Sequence, residues 1–172
     1  MTKQRFESEK SGSSACSVLI AGSKLYCANA GDSRAVLGSL RNGQWTATAI
    51  SRDHKPSEGD ERRRILACQG RILALGGGVL RVCLPDKIEP GLALTRSLGD
   101  SAAAQVGVTY TPELRKLELS TSDKFVIVGS DGIWDKLSNF EAVSMVAELL
   151  EDENGDLAAK RLVSKAAARW GG

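Results

Sequence analysis

With 172 residues, the chain fits one domain that buries roughly 70% of its unfolded surface, and its 42% hydrophobic and 26% charged residues are ordinary for a soluble globular protein. A net charge of +2, from 23 basic and 21 acidic residues, gives no general basic field and argues against nucleic-acid binding. The apolar runs fall far short of the ~20 residues that cross a bilayer, and Met1–Lys10 has no apolar core of a secretory signal.

Residues 1–11 read as a polar tail. Ser17–Ala21 and Leu25–Ala30 are two short β-type runs around a Gly22-Ser23 turn, a hairpin signal. Arg34–Leu40 and Gln44–Ser51 flank Asn42-Gly43, the strongest short hairpin dipeptide. Together these four strands predict an antiparallel meander. A helix follows, starting at Pro56-Ser57, acidic in its first turn through Glu58, Asp60 and Glu61, and stopped by Gly70. Its run Arg62-Arg63-Arg64, beside those acids, reads as a solvated helix face.

Residues 71–92 carry Gly76-Gly77-Gly78, Pro85 and Pro90-Gly91 and predict loop with short strand. Leu114–Leu119 alternates leucine with charge, as a half-exposed strand does. Phe125–Val128 is a wholly apolar strand that runs into Gly129-Ser130-Asp131-Gly132. Such a run implies cover on both faces. Ser138 and Glu141 predict a capping box, followed by a helix with Phe140, Val143, Val146 and Leu150 inward. After an Asn154-Gly155 turn, Asp156 caps a last helix with Leu162, Val163, Ala166 and Trp170 inward. Strands, a helix, strands and two helices make an α+β domain in layers.

The four cysteines, Cys16, Cys27, Cys68 and Cys83, form no C-x-x-C pair, and there is one histidine, which argues against a zinc or thioredoxin-type site. A reducing, intracellular location, cytoplasmic or nuclear, fits this usage. The carboxylates are more informative. Asp131 ends the apolar strand before Gly132, Asp135 follows four residues later, and one turn of chain can bring both carboxylates to one ion. Asp32 sits in a second strand-end turn, Ala30-Gly31-Asp32-Ser33. Hard divalent ions take such oxygen ligands, whereas Asp-Gly and Asp-Ser are equally at home in plain turns. Asp100, in Leu98-Gly99-Asp100-Ser101, has the same two readings. His54 could act as acid or base, but beside a helix start it reads as a structural hydrogen-bonding residue. Trp134 reads as core.

Five motifs in order then resemble the type 2C (PPM) family of metal-dependent Ser/Thr protein phosphatases. They are Ser11–Ala15, Ala28–Val36 around Gly31-Asp32-Ser33-Arg34, Arg52-Asp53-His54-Lys55-Pro56, Pro90–Asp100 with Thr95-Arg96-Ser97, and Phe125–Asp135 ending Ser130-Asp131-Gly132-Ile133-Trp134-Asp135. The resemblance implies an antiparallel β-sandwich flanked by helices, with Asp131 a ligand of a two-metal centre of Mg²⁺ or Mn²⁺. Asp32 and Asp135 match the carboxylates of a further, weaker metal position, and residues 55–92 match the flap beside the active site. Thr95 and Ser97 depart slightly from the family's Ser-Arg-Ala.

The family's upstream metal-binding Glu-Asp, phosphate-binding Arg and Asp-Gly-His-Gly-Gly have no counterpart in the chain, and its Asp-Asn motif is expected just beyond Gly172. Residues 12–172 are thus expected to form a partial domain, its N-terminal strands missing and its isolated activity poor. The implied reaction is hydrolysis of phosphoserine or phosphothreonine by a metal-activated water, with a phosphoprotein as partner and neither nucleic acid nor membrane. A non-catalytic pseudophosphatase or regulatory module of the same fold is the alternative. Unpaired edges at Val18–Ile20 and Phe125–Val128 further predict that the isolated chain dimerises, swaps strands or is unstable.

Overall fold

The computed structural model describes residues 9–149 and 155–171. In chain order the first strands are β1 (Gly12–Ser13), β2 (Ala15–Ala21), β3 (Lys24–Ala30), β4 (Arg34–Arg41) and β5 (Gln44–Ala49). Helix α1 (Gly59–Ala67) precedes β6 (Arg71–Leu75), β7 (Val79–Cys83), β8 (Pro90–Leu92) and β9 (Leu98–Gly99). Then come α2 (Ser101–Ala104), β10 (Glu113–Glu118), β11 (Asp123–Gly129), α3 (Asp131–Trp134), α4 (Asn139–Ala147) and α5 (Gly155–Trp170). The chain divides into two compact units.

The larger unit comprises Cys16–Asn29, Ser33–Arg52 and Glu113–Gly172. It contains two antiparallel three-stranded sheets, ordered β10-β3-β2 and β11-β4-β5. Alternation along each strand decides which side chains meet. Leu25 and Cys27 of β3 pack with Ala35 and Leu37 of β4 and with Ile50, and Val18, Leu117 and Val126 close this core between the sheets. Val36, one residue out of phase, points to the opposite face, where Ile127 joins Trp134 and Leu137 with Val143 and Val146 of α4 and Leu162 and Ala166 of α5. The unit is therefore layered sheet, sheet, helices: the expected α+β sandwich flanked by helices. Each fully buried Leu or Ile adds roughly 1.5–3 kcal/mol. β4 serves both cores, which is why five consecutive residues of it are buried.

Both predicted hairpins form. At the second, Asn42 and Gly43 take φ of 52° and 74°, the left-handed pair of a type I′ turn. The meander does not form, because β3 pairs β10 and β4 pairs β11, so the hairpins lie in different sheets. Two helix faces also differ from expectation. In α4 the buried residues are Ala142, Val143 and Val146, and Phe140 is 58% exposed. In α5 they are Ala158, Leu162 and Ala166, a strict four-residue spacing that turns Val163 and Trp170 outward. Leu150 and Asn154 lie outside the described residues, and Asp156 stands in the first turn of α5. The capping box forms as expected: Glu141 N–H donates to Ser138 Oγ, and Ser138 N–H to Glu141 Oε2.

The second unit comprises Met1–Ala15, Ala30–Asp32 and Asp53–Pro112. Helix α1 begins after its N-cap Glu58, the residue next to the Pro56-Ser57 signal, and ends in a Schellman arrangement. Gln69 takes the left-handed conformation, with Gln69 N–H on Leu66 O and Gly70 N–H on Ile65 O. Residues 71–92, expected to be loop with short strand, form the short strands of the sheet β6-β7-β8, whose first hairpin turns on the three glycines. Ile65, Val82, Ala103, Val106 and Val108 make its core. β1 pairs β9, so Gly12 is strand, just beyond the polar tail read over residues 1–11.

Candidate metal centre

Strand β11 leaves its sheet at Gly129, and Ser130, still extended, precedes the single turn of α3. Asp131 opens that turn, and Asp135 N–H donates to Asp131 O at 2.8 Å. Residues four apart on a helix lie one above the other, so the two carboxylates share one side of the turn, and both are exposed. Trp134 anchors the turn from inside. Its buried ring donates Nε1–H to Gly129 O at 2.9 Å and Arg34 O at 3.1 Å, while the Arg34 guanidinium lies 5.4 Å from the ring centroid. A Cβ on Gly129 would crowd the Trp134 ring at 3.3 Å, so a glycine ends the strand. The reading of Trp134 as core is right. It also shapes the turn.

Asp32 belongs to the other unit, where it is buried. It follows Gly31, whose φ of +113° and approach to Ser14, 2.9 Å from Cα to a Cβ placed there, only glycine accommodates. His54 fixes this bend: its N–H donates to Gly31 O at 3.0 Å and its Nδ1 lies 3.1 Å from Gly31 N. His54 is fully buried and has the structural role its position suggested. Asp100 likewise locks a turn, with φ of 47°, accepting from Ser97 Oγ at 2.6 Å while its N–H donates to Ser11 O.

Among the described residues, no group of three or more His, Cys, Asp and Glu side chains is arranged to hold a metal ion. Asp131 and Asp135 stand four residues apart on one exposed turn, while Asp32 lies in the other unit. That pair fits a hard cation: Mg²⁺ keeps several waters and is ordinarily held by one or two carboxylates. The described cysteines form no disulfide among themselves.

One cluster escaped the sequence reading. Glu61 is fully buried and accepts from Arg64 at 2.8 and 2.7 Å, from Arg96 Nη2 at 2.7 Å and from Thr95 Oγ1 at 2.5 Å. Burial pushes its carboxyl up, but these bonds outweigh it and hold the pKa at about 2. The first turn of α1 is therefore only partly the solvated face expected of it. Arg64 also donates to Thr95 O and Gly107 O, tying α1 to the Thr95-Arg96 segment. A sequence signal existed, since Thr95 and Ser97 are the two departures from the family motif, and each donates to a carboxylate.

The family model for protein phosphatase 2C matches residues 1–170. The chain belongs to the protein phosphatase 2C family. Among curated relatives, it is 40% identical over 97% of its length to probable protein phosphatase 2C 73 of Arabidopsis thaliana, covering 45% of that protein. It is 45% identical over 93% of its length to probable protein phosphatase 2C 64 of Oryza sativa subsp. japonica, covering 38% of it. The chain thus spans about half the length, or less, of the curated relatives it matches. The crystal structure of serine-threonine phosphatase 2C from Toxoplasma gondii superposes with a TM-score of 0.81 at 19% identity, over 92% of this chain and 54% of that one, a likeness of fold. A C. elegans sex determining protein gives 0.70 at 26% identity, over 89% of this chain and 35% of its own. Among the described residues no helix is long and apolar enough to cross a membrane.

Proposed function

We propose that the full-length protein containing this chain is a metal-dependent protein Ser/Thr phosphatase, with Asp131 as a carboxylate ligand of a two-metal Mg²⁺ or Mn²⁺ centre and Asp135 and Asp32 as accessory ligands. The observation that carries this reading is the Asp131–Asp135 pair, displayed on one exposed turn at a strand end in a member of the protein phosphatase 2C family. When bound, two such ions lower the pKa of water and neutralise charge on the phosphoryl oxygens, so that no protein nucleophile is required. The chain's own part is to hold the ligands. Trp134 ties the turn to β4 and β11, and Gly129 lets the backbone reverse next to that ring. In the other unit, Gly31 and His54 fix the bend that carries Asp32. α1 and β6–β8 lie within the family's flap, and their side chains contribute to substrate choice.

The test is release of inorganic phosphate from a phosphothreonine peptide by the full-length protein. Release with Mn²⁺ that stops on adding a chelator is expected. No release at any metal concentration would favour a binding module of the same fold.

A further inference from the structure

Helix α3 is one turn long, and while Asp131 O accepts from Asp135 N–H and Ile133 O from Leu137 N–H, Gly132 O does not receive the N–H four residues on. Lys136 N–H goes to Ile133 O at 3.1 Å rather than to Gly132 O. The C-terminal end of α5 takes up the carbonyls left over: Trp170 Nε1–H donates to Gly132 O at 2.9 Å, and Arg169 Nη1–H donates to Lys136 O at 2.6 Å. Two further contacts hold these donors. The Lys136 ammonium lies 4.1 Å from the Trp170 ring centroid. Arg169 Nη2 also bonds Glu141 Oε1 at 2.9 Å, on the glutamate that closes the capping box of α4. The four residues Gly132, Lys136, Arg169 and Trp170 therefore bracket the stretch between Asp131 and Asp135. Trp134 grips the same turn from the buried side.

We propose that Arg169 and Trp170 are positioning residues, an outer clamp that fixes the backbone between Asp131 and Asp135 and so sets the separation of the two carboxylates. The proposal rests on the reading of those carboxylates as metal ligands. Partners of this kind hold ligands in the orientation the ion needs, and losing one typically weakens metal binding 10–100-fold. The geometry favours a positioning role over simple packing, because Trp170 is half exposed and buries little, while its single polar atom meets the ligand turn.

The test uses the full-length protein carrying Trp170→Phe, which keeps an aromatic ring beside Lys136 and removes the indole N–H, and separately Arg169→Gln. Mn²⁺ affinity is followed by electron paramagnetic resonance, and amide hydrogen exchange is followed at residues 132–137. Each variant is expected to weaken Mn²⁺ binding about tenfold and to speed exchange at these amides several-fold, with exchange in β3 and β4 unchanged. Arg169→Lys, which keeps a charged donor, should restore part of the affinity. Asp131→Ala separates the two readings. If it abolishes Mn²⁺ binding while both clamp variants stay within twofold of wild type, the ligands stand and the clamp is overturned. If Asp131→Ala leaves binding unchanged, the ligand assignment fails and the clamp's role fails with it.

Discussion

Glu61 shows how much one residue can carry unseen. Its pKa, about 2 against an ordinary 4.5, is depressed in the folded chain. The stabilisation is therefore present above the unfolded value and is lost as pH falls from about 4.5 towards 2, with a full size of about 3 kcal/mol. Glu61→Gln should cost a similar amount at pH 7, since it leaves Arg64 and Arg96 without their carboxylate. The difference between variant and wild type should then shrink as pH drops through that window. Denaturant unfolding at pH 7 and pH 3 checks this, and a pH-independent difference would contradict it. Nothing in the string Glu58-Gly59-Asp60-Glu61-Arg62-Arg63-Arg64 distinguishes the buried acid from its solvated neighbours. Its partners Thr95 and Arg96 lie over thirty residues away, and only the fold brings them in. The spacing of Asp131 and Asp135 is the opposite case: four residues on one turn is local geometry, readable without tertiary contacts, whereas their reading as metal ligands came from the resemblance.

Elements were legible where their signals are local. The Asn42-Gly43 turn and the Ser138–Glu141 box depend on a few neighbouring residues, and both formed as expected. The box makes its own prediction. Ser138→Ala should destabilise the larger unit by about 1 kcal/mol through loss of the cap, read as a fall in melting temperature. A change indistinguishable from zero would mean that the Arg169–Glu141 bond holds α4 without it. What the sequence did not disclose was phase and pairing. Apolar residues at Phe140, Val163 and Trp170 fit a helical stripe as well as the buried ones do. The small alanines at 142, 158 and 166 are buried in the core shared with Val143 and Leu162, where a methyl lets neighbouring elements pack closely, a property that hydrophobicity alone does not encode. Likewise β3 and β4 look like consecutive strands of one meander, but each found a partner some ninety residues on.

At the scale of the whole molecule, β11 has one strand partner among the described residues, β4, and lies at the edge of its sheet. A groove of about 540 Å³ runs beside it, lined by apolar residues that include Phe125, Ile127, Val128, Leu162 and Val163. Val128 is 49% exposed and Val163 58%, where the wholly apolar strand led one to expect cover on both faces. On the other sheet Leu19 and Leu114 are 63% and 74% exposed. An open edge beside apolar surface invites pairing, so the 172-residue chain in isolation is expected to self-associate. Sedimentation at tens of micromolar should show dimers or larger species, and a stable monomer would contradict this.

The central claim is that the Asp131 turn holds a metal on which phosphate hydrolysis depends, and it is tested most directly by Asp131→Ala in the full-length protein. Mn²⁺-dependent kcat/KM on a phosphothreonine peptide should fall by about three orders of magnitude, the scale of several kcal/mol of lost transition-state stabilisation, with the melting temperature nearly unchanged. Wild-type turnover and unchanged Mn²⁺ dependence in a folded Asp131→Ala protein would contradict it.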